Sequence, residues 1–116
     1  MSSKDEEIQK EIVRLQNFER QMQAVMMQRQ QIQLQLGEIG LALEELGKAK
    51  GDVYKSIGSV MIKTTVDAAK TDLEDKKKLM ESRRKTLDEQ EEKLRGELKR
   101  LQKKLQEEMG SSDEAS

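Results

Sequence analysis

A mainly α fold is predicted: an antiparallel two-helix coiled-coil hairpin with a central β-hairpin that joins an inter-subunit β-barrel. Two long stretches repeat apolar residues every seven positions, and the chain has no proline and is rich in Glu, Lys, Gln, Leu and Arg, which lose little by being helical. Between them lies GDVYKSIGSVMIKTTV, residues 51–66, with the β-branched alternation of strands around a Gly-Ser turn.

In the first stretch the a positions are Ile8, Leu15, Met22, Arg29, Leu36 and Leu43, and the d positions are Glu11, Phe18, Val25, Ile32, Ile39 and Leu46. Ten of these twelve are apolar, and only Arg29 and Glu11 break the seam. Ser3 with Glu6 reads as a capping box, and Gly47 with Gly51 as a stop, so this helix is expected over 4–47.

The second stretch places Leu73, Met80, Leu87, Leu94 and Leu101 seven apart. Its companion position is charged at Lys77, Arg84 and Glu91 and turns apolar at Leu98 and Leu105, so the stripe widens toward the C-terminus. Thr64 with Asp67 is the expected start cap and Gly110 the expected end, giving a helix over 67–109 and a flexible tail over 110–116. At 1.5 Å per residue, two helices of roughly 40 residues would each be on the order of 60 Å long. Equal helices joined by a short hairpin fold back on one another, giving a single domain over 1–116 with both termini at one tip.

The hairpin is expected over 52–66. With Gly58 and Ser59 as a type II′ turn, Val53, Ile57, Val60, Ile62 and Thr64 share one face, and Tyr54, Ser56, Met61 and Lys63 the other. A lone two-stranded hairpin is marginal in water, and its free edges invite pairing. The hairpin is therefore an assembly element, and copies joined edge to edge close a small barrel. An irregular loop between helices is the competing reading.

Composition narrows the chemistry. The 116 residues are 39% charged and 34% apolar with two aromatics, Phe18 and Tyr54, too few for a compact globular core. High charge with few aromatics also suits disorder, but the net charge of −1 and the periodic apolar residues argue against it. With no His and no Cys, the commonest general base and the strongest thiol nucleophile are missing, and no enzyme is expected. Gly47-Lys48 is followed by Ala49, and Ala42 stands where a phosphate loop needs its first glycine, so no nucleotide, cofactor or metal is expected. The basic runs 76–78 and 83–85 alternate with Glu74, Asp75, Glu81 and Asp88 and have no aromatic platform, which argues against nucleic acid. The segment MSSKDEEIQKEI lacks the apolar core of a signal peptide and no stretch approaches a membrane span, so a cytoplasmic location is expected.

Two heptad helices of matched length flanking the VYKSIG segment, with LEEL (Leu43 to Leu46) just before it and Val60-Met61-Ile62-Lys63 after it, resemble the β-type subunit of prefoldin. The similarity covers nearly the whole chain; one hairpin instead of two points to the β type, and the texture is closest to the archaeal form. What the resemblance implies is a hexamer of two α-type and four β-type subunits, with a double β-barrel body and six coiled-coil tentacles. Such a complex captures unfolded proteins between the tentacle tips without nucleotide and passes them to a group II chaperonin. Subunit assembly is then expected to rest on Val53, Tyr54, Ile57, Gly58, Val60, Met61 and Ile62.

The expected client surface is at the tips, where Ile8, Ile12, Val13 and Leu15 lie opposite Leu98, Leu101, Leu105 and Met109. Ile12 and Val13 fall outside the seam and are expected to face outward, so partly unzipped helix ends would offer several weak contacts to one client. For any single residue, plain coiled-coil core or a fraying end is the alternative. Met22, Met26 and Met27 are read as seam filler. A structural coiled-coil scaffold or tether without client binding is the competing function.

Overall fold

The computed structural model describes residues 3–114, with side chains over 3–110. Helix α1 is Ser3–Lys48, strands β1 and β2 are Val53–Ile57 and Val60–Thr64, and helix α2 is Val66–Glu114. The fold is mainly α, two long helices joined through an antiparallel two-stranded hairpin. By its contacts the chain divides into a terminal unit, 1–28 with 87–116, and a hairpin unit, 29–86.

Each unit is held by the seam residues of its two helix segments. In the terminal unit Val25, Leu87, Leu101 and Leu105 are buried, and in the hairpin unit Ile39 and Met80. The a and d positions of α1 are all buried or half-buried, while most of the positions between them are exposed. Two paired helices have no third layer, so the apolar stripe of each is covered only by the other.

Helix ends depart from expectation where backbone geometry outweighs residue type. Gly47 stays in α1, whose last turn closes with Ala49 N–H donating to Leu46 O at 3.2 Å. The chain turns away four residues later at Gly51, whose φ of +99° only glycine adopts easily. Ser3, expected as a cap, is itself the first helical residue. The cap of α2 is Thr65 instead of Thr64: its Oγ1 accepts from Ala68 N–H at 3.1 Å and its carbonyl accepts from Ala69 N–H at 3.0 Å. Thr64 is engaged in β2, paired with Val53. Replacing Thr65 with Ala is expected to cost about 1 kcal/mol of stability, read as a lower unfolding midpoint in urea, whereas Thr64→Ala leaves the cap intact.

Gly110 does not end α2, which continues to Glu114; its φ is not positive, and without a left-handed cap or a proline nothing forces the chain out of the helix. The rest of the tail expected over 110–116, residues 115 and 116, lies outside the described residues.

The hairpin has the expected register, with Ile57 opposite Val60 and Val53 opposite Thr64. Gly58 has φ of +58° and Ser59 does not have a positive φ, the pattern of a type II′ turn.

Candidate hairpin interface and terminal helix surface

Period-two alternation along paired strands puts Val53, Lys55, Ile57, Val60, Ile62 and Thr64 on one face and Tyr54, Ser56, Met61 and Lys63 on the other. Val53 and Thr64, nearest the helices, are half-buried, and everything beyond them toward the turn is exposed. Tyr54, Ile57, Val60, Met61 and Ile62 all stand open, Met61 at 64% exposure. No element of the described residues covers either face of the distal hairpin, and both outer strand edges are free.

Two ion pairs set the base of the hairpin. Lys55 Nζ reaches Asp72 Oδ2 on α2 at 3.2 Å, and Lys63 Nζ reaches Asp52 Oδ2 at 3.2 Å. All four side chains are more than half exposed, so these contacts orient the hairpin more than they stabilise it. The Lys55 pair is not apparent from the sequence, because Asp72 lies 17 residues away on another element. Beneath it is an open cleft of about 750 Å³ lined by Ala42, Leu46, Val53, Lys55, Ala69 and Leu73. Tyr54, Ser56 and the charged Glu45, Lys55, Asp72 and Lys76 share the lining; all are exposed, and Lys55 and Asp72 are paired with each other.

In the terminal unit the eight residues of the expected client surface separate into three groups. Leu101 and Leu105 are buried in the seam; Ile8, Ile12, Leu15 and Leu98 are half-buried; Val13 and Met109 are exposed, each at 53%. Ile12 therefore does not face fully outward as expected: at position e it flanks the seam and is partly covered, whereas Val13 at f points away from it. Met26 and Met27 are corrected in the opposite sense. They occupy e and f, and Met27 is 70% exposed, so only Met22 of the three is seam filler.

The residue that sequence reasoning undervalued is Glu11. It is 3% exposed, the most shielded side chain of the terminal unit, because position d turns it into the seam. Lys104 Nζ lies 2.6 Å from Glu11 Oε1 and 3.9 Å from Glu7 Oε1. Carboxylate oxygens of Glu7, Glu11 and Glu108 all lie within 4.8 Å of one another. Such a set could hold a cation, and Lys104 already supplies a positive charge there. The Lys104 ammonium holds Glu11 below the ordinary glutamate range, against the opposing loss of water. A proton shared with Glu11, together with desolvation and the charge of Glu11, pushes Glu108 up. Lys104 is raised by the Glu11 carboxylate beside it. A charged residue at a d position was the one signal in the sequence that pointed here.

No helix of the described residues is long and apolar enough to cross a membrane. No curated protein is significantly similar in sequence. Among solved structures, the chain is similar to the prefoldin beta subunit from Thermococcus strain KS-1, with 35% identity, a TM-score of 0.80, and coverage of 87% of this chain and 90% of that one. Residues 9–112, both helices and the hairpin together, match the family described as Prefoldin subunit. With the heptad seam, the exposed hairpin and this match running over the same residues, the chain belongs to the prefoldin subunit family.

Proposed function

We propose that the chain is a β-type subunit of an ATP-independent holdase, built from two α-type and four β-type subunits, that captures unfolded proteins at its coiled-coil tips and delivers them to a group II chaperonin. Membership of the prefoldin family supports a chaperone-type role and hetero-oligomers with other prefoldin subunits. The observation that carries the reading is the hairpin, whose Tyr54, Ile57, Val60, Met61 and Ile62 are all exposed while its register is regular.

Covering these five half-open side chains would contribute roughly 5 kcal/mol per subunit. That is comparable to the cost of immobilising a partner, so pairing of the free strand edges must add to it. Assembly through Val53, Tyr54, Ile57, Gly58, Val60, Met61 and Ile62 follows, since the turn at Gly58 holds the two strands in register for a third.

Val13 and Met109 present apolar surface beside the half-covered Ile8, Ile12, Leu15 and Leu98. Leu101 and Leu105 join that surface when the helix ends part. Each such contact is weak, and several copies on one client raise retention through effective concentration.

Light scattering of the chain alone and with an α-type prefoldin subunit, followed by aggregation of a chemically denatured client without ATP, tests the reading. A discrete hexamer that suppresses aggregation is expected. A stable dimer indifferent to both partner and client overturns it and leaves a coiled-coil tether.

A further inference from the structure

We propose that Glu11, Lys104 and Glu108 form a proton-controlled latch between α1 and α2 in the terminal unit: one proton held between the two carboxylates closes the pair, and its loss loosens it. The geometry is a charge mismatch inside the seam of the terminal unit, where Glu11 is the most shielded charged residue. Glu7, Glu11 and Arg14 approach from α1, and Lys104 and Glu108 from α2, so three carboxylates meet two cations. Lys104 is committed to Glu11 at 2.6 Å and is more distant from Glu7, at 3.9 Å. Neither oxygen of Glu11, nor Oε2 of Glu108, has a well-aligned hydrogen-bond donor among the described residues. Two shielded carboxylates side by side with one ammonium between the helices cannot both be satisfied as anions.

A proton placed on Glu108 turns that repulsion into a donor for Glu11. The buried Leu101 and Leu105 both lie within a turn of Lys104, and Leu105 within a turn of Glu108, so the same event tightens the apolar contacts beside it. Glu108 is raised when folded, so its contribution is full below the ordinary glutamate range and is lost as pH rises through its folded value. Glu11 is lowered, so its contribution is full above that range and is lost only as pH falls through its folded value. The latch is therefore tightest near the ordinary glutamate range and looser at neutral pH. Its consequence, that neutral pH favours parted helix ends able to receive clients, rests on the tip reading above; the latch itself does not.

Hydrogen–deuterium exchange of the full chain, corrected for intrinsic rates, at about pH 7.5 and about pH 5 tests it. Segments 7–15 and 101–109 of the unaltered chain are expected to exchange about two- to ten-fold more slowly at the lower pH, the worth of one interhelical hydrogen bond. E108Q, which donates without a charge, is expected to be slow already at the higher pH and to lose the response, while β1 and β2 exchange alike in both chains. An unaltered chain without the pH response, a response retained in E108Q, or an equal change in the strands overturns the latch. Since no client enters the measurement, failure of the latch and failure of the tip reading are read separately.

Discussion

Replacing Ile57 and Val60 together with aspartate is expected to abolish the hetero-oligomer and leave this subunit at monomer mass, with its helical circular dichroism retained. The two residues are direct cross-strand partners on one face, immediately before and after the Gly58-Ser59 turn. Both are more than half exposed in the chain by itself, so their substitution disturbs little within it. Once neighbouring strands cover that face, two carboxylates would be buried side by side, with Lys55, the cation on that face, already paired to Asp72, at a cost of several kcal/mol. That exceeds what the remaining apolar contacts can offset, since covering all five exposed side chains would contribute only roughly 5 kcal/mol. Light scattering with the α-type subunit present reads the result; a hetero-oligomer that survives the double substitution would mean that another surface assembles the complex.

The second large effect is expected from shortening the helix ends. Removing Val13 and everything before it, together with Leu98 onward, should lower suppression of client aggregation at least about tenfold while the hetero-oligomer still forms. The truncation removes all of the apolar residues assigned to the client surface except Leu15. It spares the buried Val25, Ile39, Met80 and Leu87, which keep the remaining helix segments paired, and it leaves the hairpin untouched. Loss of client protection with unchanged mass separates capture from assembly. Protection equal to that of the full chain would place the client elsewhere.

Much of this was legible in the residues because it depends on local periodicity. A seven-residue apolar repeat has one way to bury its stripe, by pairing with another, and the a and d positions assigned from the sequence in α1 are all buried or half-buried in the fold, whereas the charged companion positions Lys77 and Arg84 of α2 are exposed. The hairpin register followed from one dipeptide, since Gly58 takes the positive φ a type II′ turn needs and thereby sets every pair down to Val53 with Thr64. Helix ends were less legible. Thr64 and Thr65 are chemically equal candidates for the cap, and the strand's claim on Thr64 settles between them. Gly110 has the composition of a stop without the backbone conformation of one.

Residue order alone thus determined the helical character, the seam and the turn, because each is set by neighbours within a few positions. The tertiary structure alone decided which charges meet. Lys55 finds Asp72, and Glu11 finds Lys104, through the pairing of elements far apart in the chain. A glutamate that breaks a heptad reads in sequence as a defect; set between Lys104 and Glu108, it becomes the most shielded ionisable group of its unit, because burial and charge act across space and not along the chain.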